Sequence, residues 1–184
     1  MKTASIFMPK SLSRFARDRR GVSAVEFALI APMMIGMYLG VAEIADGVSA
    51  SRKVSLISST LANLTAQVGT ISASDMTNIL DASTAIVAPY SASKLKMTVT
   101  CMAIDATGKA TVKWSATRNG TASSGVMTIP SALAVPNSQL IYAQVTYAYT
   151  PTVGYTISGT LNLTDQMYMT PRVTAPTYGT TTCT

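Results

Sequence analysis

Between Val22 and Ala42 the chain runs for 21 residues with a single charge, Glu26. That run constrains every fold open to the chain, because a helix of about 20 apolar residues crosses the hydrocarbon core of a bilayer. It follows directly on Arg19-Arg20-Gly21. Six basic residues (Lys2, Lys10, Arg14, Arg17, Arg19 and Arg20) against Asp18 put five of the six net positive charges into the first twenty positions. Beyond the run the first charges are acidic, Glu43 and Asp46. The asymmetry predicts a cytoplasmic N-terminus, a membrane helix in contact with lipid, and an outward body from about residue 47 to 184. The cations of the body, Lys94, Lys96, Lys109, Lys113 and Arg118 among them, are scattered and form no stripe with interleaved aromatics, so no nucleic-acid partner is expected.

A carboxylate inside a membrane segment costs a few kcal/mol and marks a functional site by default. Three simpler readings treat Glu26 as incidental. One is a cleaved secretory signal ending near Gly40-Val41-Ala42, another a twin-arginine signal using Arg19-Arg20, and the third a plain anchor whose Glu26 reaches back to the headgroups. Within the same run Ala28, Pro32, Gly36 and Gly40 recur every fourth residue, which predicts a close-packing face between helices. Glycine and proline are also simply more frequent in membrane helices. Pro32 lacks a backbone donor and is expected to kink the helix.

Helical spacing continues past Ala42 through Ile44, Val48, Val54, Ile57, Leu61, Leu64 and Val68, which predicts an amphipathic extension to about Gln67, with Gly69 as a stop. A helix from Val22 to Gln67 is roughly 70 Å long. A short second helix is predicted from Ser74 or Asp75, serving as cap, to Pro89. Strand patterns follow at Leu95–Ile104, where Leu95, Met97, Val99 and Cys101 alternate with polar residues, and at "TVKWSATR", joined as a hairpin around Gly108. After a Ser/Gly/Pro loop at about 119–138, "QLIYAQVTYAYTP" and "YTISGTLNLTDQMYMTPRV" supply two or three further strands. The predicted fold class is α+β: a leader at 1–21, a membrane and assembly helix at 22–42, its extension at 43–68 and an outward domain with a small antiparallel sheet at 69–184.

Gly21 followed by Val22-Ser23-Ala24-Val25-Glu26-Phe27 resembles the cleavage and assembly motif of type IV pilin-like proteins. The stretch "RRGVSAVEFALIAPMMIGMYLGVAEIADG" resembles the TadE/TadG-like components of tight-adherence (Tad, or Flp) pili. The "APY" and "YMTPR" segments are similar to TadE-like proteins more weakly, and Phe27 stands where Tad pilins favour tyrosine. The resemblance implies a pilin-like fold and a prepilin peptidase that cuts between Gly21 and Val22 on the cytoplasmic side. It also implies an inner-membrane assembly platform and other pilin and pseudopilin subunits as partners. The new α-amine at Val22 of a neighbouring subunit is the natural partner for Glu26, because a poorly solvated carboxylate is tolerable when a cation neutralises it. On this view the chain is a minor pilin or pseudopilin of the inner membrane, its domain periplasmic or carried into an extracellular pilus, with work in assembly, initiation or adhesion. The alternative is an uncleaved single-span envelope protein with a ligand-binding or scaffold domain.

The sequence contains no histidine, no glycine-rich phosphate loop and no Gly-x-Ser-x-Gly elbow, so neither catalysis, nor a metal, nor a cofactor is expected. Asp75 is read as a helix cap, Asp105 as the start of a turn, and Tyr147 and Tyr149, with Tyr142 and Tyr155 near them, as sheet decoration. Cys101 and Cys183 fall in the part that faces an oxidising compartment, where a disulfide tying the C-terminus to the first strand is the natural reading and two free thiols the alternative.

Overall fold

The structure, a computed structural model, describes residues 20–151, 159–173 and 175–184. The leader up to Arg19, Tyr155 and the start of the "YTISG" stretch lie outside the described residues. Two compact units meet between Ala42 and Glu43. One helix, α1 (Arg20–Ala66), contributes to both and continues through Pro32.

In the second unit, Ala50, Val54, Ile57, Leu61 and, beside it, Ala62, then Ala66 of α1 are buried, one helical stripe with steps of three and four against the sheet. The stripe predicted from the sequence is wrong in its first turn. Ile44 and Val48 are 51% and 48% exposed, while Glu43 is buried. The reason is local: this turn of α1 meets tyrosine rings, and Gly47, having no side chain, lets the ring of Tyr149 come to 3.6 Å from where a Cβ would stand.

The second helix, α2 (Ala73–Ala85), starts earlier than predicted and ends short of Pro89. Its N-cap is Ser72, not Ser74 or Asp75. The Ser72 hydroxyl accepts from the Asp75 amide (3.1 Å), and the Asp75 carboxylate accepts from the Ser72 amide (3.0 Å). This reciprocal capping box satisfies two otherwise orphaned donors and holds the Asp75 carboxyl below its ordinary pKa, chiefly through the Ser72 side chain. Beyond the end of α2, Lys53 of α1 donates to the carbonyls of Ile86 (3.3 Å) and Ala88 (2.7 Å), so a cation closes the helix terminus.

Two sheets account for the strands among the described residues. The main sheet joins β2 (Leu95–Ile104), β3 (Ala110–Arg118), β4 (Val126–Met127), β5 (Ser138–Tyr149) and β6 (Leu161–Met169) in the antiparallel order β4-β3-β2-β5-β6. The β2–β3 turn is built as predicted on Asp105, whose carboxylate accepts from the amides of Thr107 (2.8 Å) and Lys109 (3.0 Å), and on Gly108 at φ +83°. A second, small sheet not foreseen from the sequence pairs β1 (Thr70–Ile71) parallel with β7 (Thr177–Tyr178), which pairs in turn with β8 (Thr181–Thr182). Strands of two residues carry too little pattern to be read in advance.

Leu95, Met97, Val99 and Cys101 of β2 join Ile141, Ala143 and Val145 of β5 in the main core under α1 and α2. On the opposite face of this half-buried strand Lys96 is exposed as its polarity predicts, but Thr98 and Thr100 are buried, as are Met102 and Ile104 beside them. The chain after β3 folds back over that face. Gly120 and Thr121 reach Thr98, while Met127, Ile129 and Leu133 cover a smaller cluster around Met102 and Tyr142.

Gly47 gives a direct test of this packing. A Cβ there makes ordinary contact with Tyr149, so Gly47→Ala should stabilise the full chain in detergent by up to about 1 kcal/mol through helix propensity. Gly47→Leu should instead displace the ring and cost about 1–3 kcal/mol. The urea midpoints of the two variants, read against the parent, check both signs.

Candidate functional site

From Gly21 to Ala42 no side chain is buried, and the large apolar ones face outward at every azimuth; Leu29 is 74% and Tyr38 73% exposed. A helix apolar on all sides needs a non-aqueous environment or partners along its whole circumference. The segment is long and apolar enough to cross a membrane, with a mean hydropathy of 1.8 over 18 residues. Gly21 and Val22 are in the first turn and exposed, and among the described residues nothing lies within 4 Å of where a Cβ would stand at Gly21. Glu26, also exposed, follows Val22 by four residues and so shares its side of the helix one turn on. A helix beginning at Val22 would present an α-amine and the positive end of its dipole, both of which favour a carboxylate nearby. Ala28 lies about 160° around the helix from Glu26 at 3.6 residues per turn. The acid and the start of the small-residue row Ala28, Pro32, Gly36 and Gly40 therefore occupy different sides, and the row drifts about 40° per step until Gly40 lies within about 40° of the azimuth of Glu26.

The domain grips α1 through a cluster that the sequence reading did not anticipate. Tyr90 donates to Asp46 Oδ1 (2.7 Å) and to the Asp46 carbonyl (3.1 Å), and Tyr149 donates to Asp46 Oδ2 (2.9 Å). The rings of Tyr90 and Tyr149 meet edge to face at 6.5 Å, and Tyr147 packs on Tyr90 at 6.0 Å. Asp46, an acidic flank in the sequence reading, is the acceptor that fastens two phenols from distant parts of the chain. Tyr149 and Tyr147 are buried under α1 instead of decorating the sheet. Burial first, and then the bond to Asp46, push the Tyr149 phenol up to about 12.

The other end of the domain is closed covalently. Cys101 and Cys183, 82 positions apart, form a disulfide. The segment it pins is also held by Trp114, whose Nε1 donates to the Pro176 carbonyl (3.0 Å) and whose ring packs on Tyr178 at 5.6 Å. Arg118 pairs with Asp81 at the surface, where both are well exposed and the pair contributes little. Among the described residues no group of three or more His, Cys, Asp or Glu could hold a metal ion.

Two outcomes follow. The fold keeps Tyr149 neutral and donating, so its contribution is complete below pH 10 and is lost as the pH rises from there through about 12. Tyr149→Phe should cost about 1–3 kcal/mol at neutral pH and flatten that alkaline fall, as read from urea midpoints across pH. Replacing Cys101 and Cys183 by Ser should lower stability by about 2–5 kcal/mol and expose residues 176–184 to limited proteolysis, detected by mass spectrometry.

The family model described as "TadE-like protein" matches residues 21–55. Neither the curated proteins nor the solved structures give a match to the chain. The matched residues begin at Gly21, include Glu26, the small-residue row and Asp46, and run into the packed stripe at Val54. The chain thus carries a TadE-like N-terminal segment, consistent with a TadE-like pilin of the Tad system.

Proposed function

We propose that this chain is a minor pilin or pseudopilin of a Tad-type pilus, made as an inner-membrane precursor, cut by a prepilin peptidase between Gly21 and Val22, and inserted into a fibre through α1. The observation that carries the reading is that the TadE-like match covers the same stretch that presents apolar side chains on every side and one carboxylate near its start. Before assembly, lipid covers those side chains; in a fibre, the helices of neighbouring subunits take its place. Glu26 then meets the α-amine of an adjacent subunit and fixes axial register, while Ala28, Pro32, Gly36 and Gly40 allow close helix approach. The assembly platform holds the precursor with its N-terminus cytoplasmic and its disulfide-bonded domain periplasmic. No catalytic step is assigned to the chain; its work is assembly, initiation or the specialisation of the fibre tip for adhesion.

Glu26→Gln tests the assembly role. Removing one member of a poorly solvated ion pair costs about 3–5 kcal/mol, so the variant should accumulate in the membrane at the parental level while piliation, counted by electron microscopy, collapses. Glu26→Asp should restore part of it. Full piliation by Glu26→Gln would remove the register role and favour an uncleaved envelope anchor.

A further inference from the structure

Strand β6 (Leu161–Met169) is the outer strand of the main sheet, and among the described residues its backbone pairs with β5 alone. In an antiparallel pair about half the residues of an edge strand point both N–H and C=O away from the neighbour. A nine-residue edge is long enough to template another strand, and natural proteins usually blunt such edges with lysine, proline, bulges or a covering segment. The opposite edge is treated in that way. There β4 pairs with β3, the Val112 amide donates to the Gly125 carbonyl (2.8 Å), and the Ser123 amide donates to the Ser115 hydroxyl (3.0 Å). β6 contains no lysine and no proline; its one charge is Asp165, which points inward and so guards the edge against any strand that brings no cation to it.

The core also thins at β6. On β5, the core-facing Ile141, Ala143 and Val145 are fully buried, whereas Leu163, Met167 and Met169 of β6 are only partly buried against the same cluster, and Leu161 is 45% exposed. One more strand would complete the burial of this row. Its central member is Asp165, directly across from Val145 and therefore on the core side of the sheet, where it takes the Ser58 hydroxyl of α1.

We infer that the outer edge of β6 receives an extended strand from a different pilus subunit, a strand with alternating apolar side chains and a lysine or arginine facing Asp165. The inference rests on the pilus reading above and adds a partner surface to it. The chemistry selects the occupant. Only an extended backbone satisfies a row of strand amides and carbonyls, and a carboxylate that loses water to the incoming strand needs a cation beside it. A second copy of this chain does not fit in the register that pairs the whole edge. In an antiparallel β6–β6 pair with full overlap, Asp165 is the centre of the strand and would face its own copy, and like charges directly opposite are destabilising. Addition to the other edge is blocked by β4 and residues 119–125.

The test uses the full chain in piliated cells. A photo-reactive benzoylphenylalanine replaces Thr164 or Gln166, both exposed on β6, and, as a control, the exposed Lys113 of β3. Sheared fibres are blotted for the chain before and after irradiation, and adducts are identified by mass spectrometry. The expected result is an adduct with another pilus subunit from Thr164 and Gln166 but not from Lys113. Its yield should fall about fivefold in Asp165→Lys, where repulsion replaces attraction, and less, about twofold, in Asp165→Asn, where the attraction alone is lost. An intact mass showing the Cys101–Cys183 disulfide verifies that each variant is folded, and the positional pattern in the parent stands whether or not Asp165→Lys folds. The chain present in fibres with no adduct from β6, or with an adduct to its own copy, overturns this inference and leaves the pilus reading intact. Absence of the chain from the fibres overturns the pilus reading and this partner with it.

Discussion

One helix has to satisfy two environments, and the rest of the structure answers to that constraint. Up to Ala42, α1 carries apolar side chains on every side; from Ala50 onward it carries a single buried stripe against a sheet. The first condition requires lipid or neighbouring helices, and the second requires a folded domain of the same chain. The change falls within two turns, at Glu43, Asp46 and Gly47, where the cut between the compact units also lies. The turn that begins the domain is therefore polar, and it is held by hydrogen bonds more than by burial of apolar surface.

Those bonds give the Asp46 cluster its place in the fold. Asp46 takes one phenol on each carboxylate oxygen, from Tyr90 after α2 and from Tyr149 at the end of β5. One side chain thereby ties α1 to two segments that follow it by 44 and 103 positions. Toward the other end of the sheet, the disulfide and the Trp114–Pro176 bond tie the C-terminal segment to β2 and β3. Such ties suit the assembly proposed above, because pulling on α1 is resisted by specific polar bonds as well as by the apolar stripe.

Much of this was legible in the residues. The apolar run defines the N-terminal helix without any structure, since length and composition alone decide whether a helix is able to span. The alternation in Leu95–Ile104 gives β2 its correct bounds, and Asp105 with Gly108 gives its turn. What could not be read is what depends on distant partners. Ile44 and Val48 fit the helical period yet stay exposed, because the turn's position was decided by Tyr90 and Tyr149. Thr98 and Thr100 look like a solvated face and are buried, because residues 119–135 fold back over them. Asp46 carries no local mark of its two phenols. Ser72, Ser74 and Asp75 offer the same capping chemistry, and only the extended backbone at Ser72 chooses among them.

The central claim is that α1 reaches the fibre as the first segment of a processed chain. The most direct measurement is the intact mass of the membrane-extracted protein from cells with and without the cognate prepilin peptidase. A peptidase-dependent loss of residues 1–21, leaving Val22 as the first residue and Glu26 as the fifth, is the predicted result. An unchanged full-length mass in both strains, or a product beginning near Glu43 with the apolar segment removed, would contradict it.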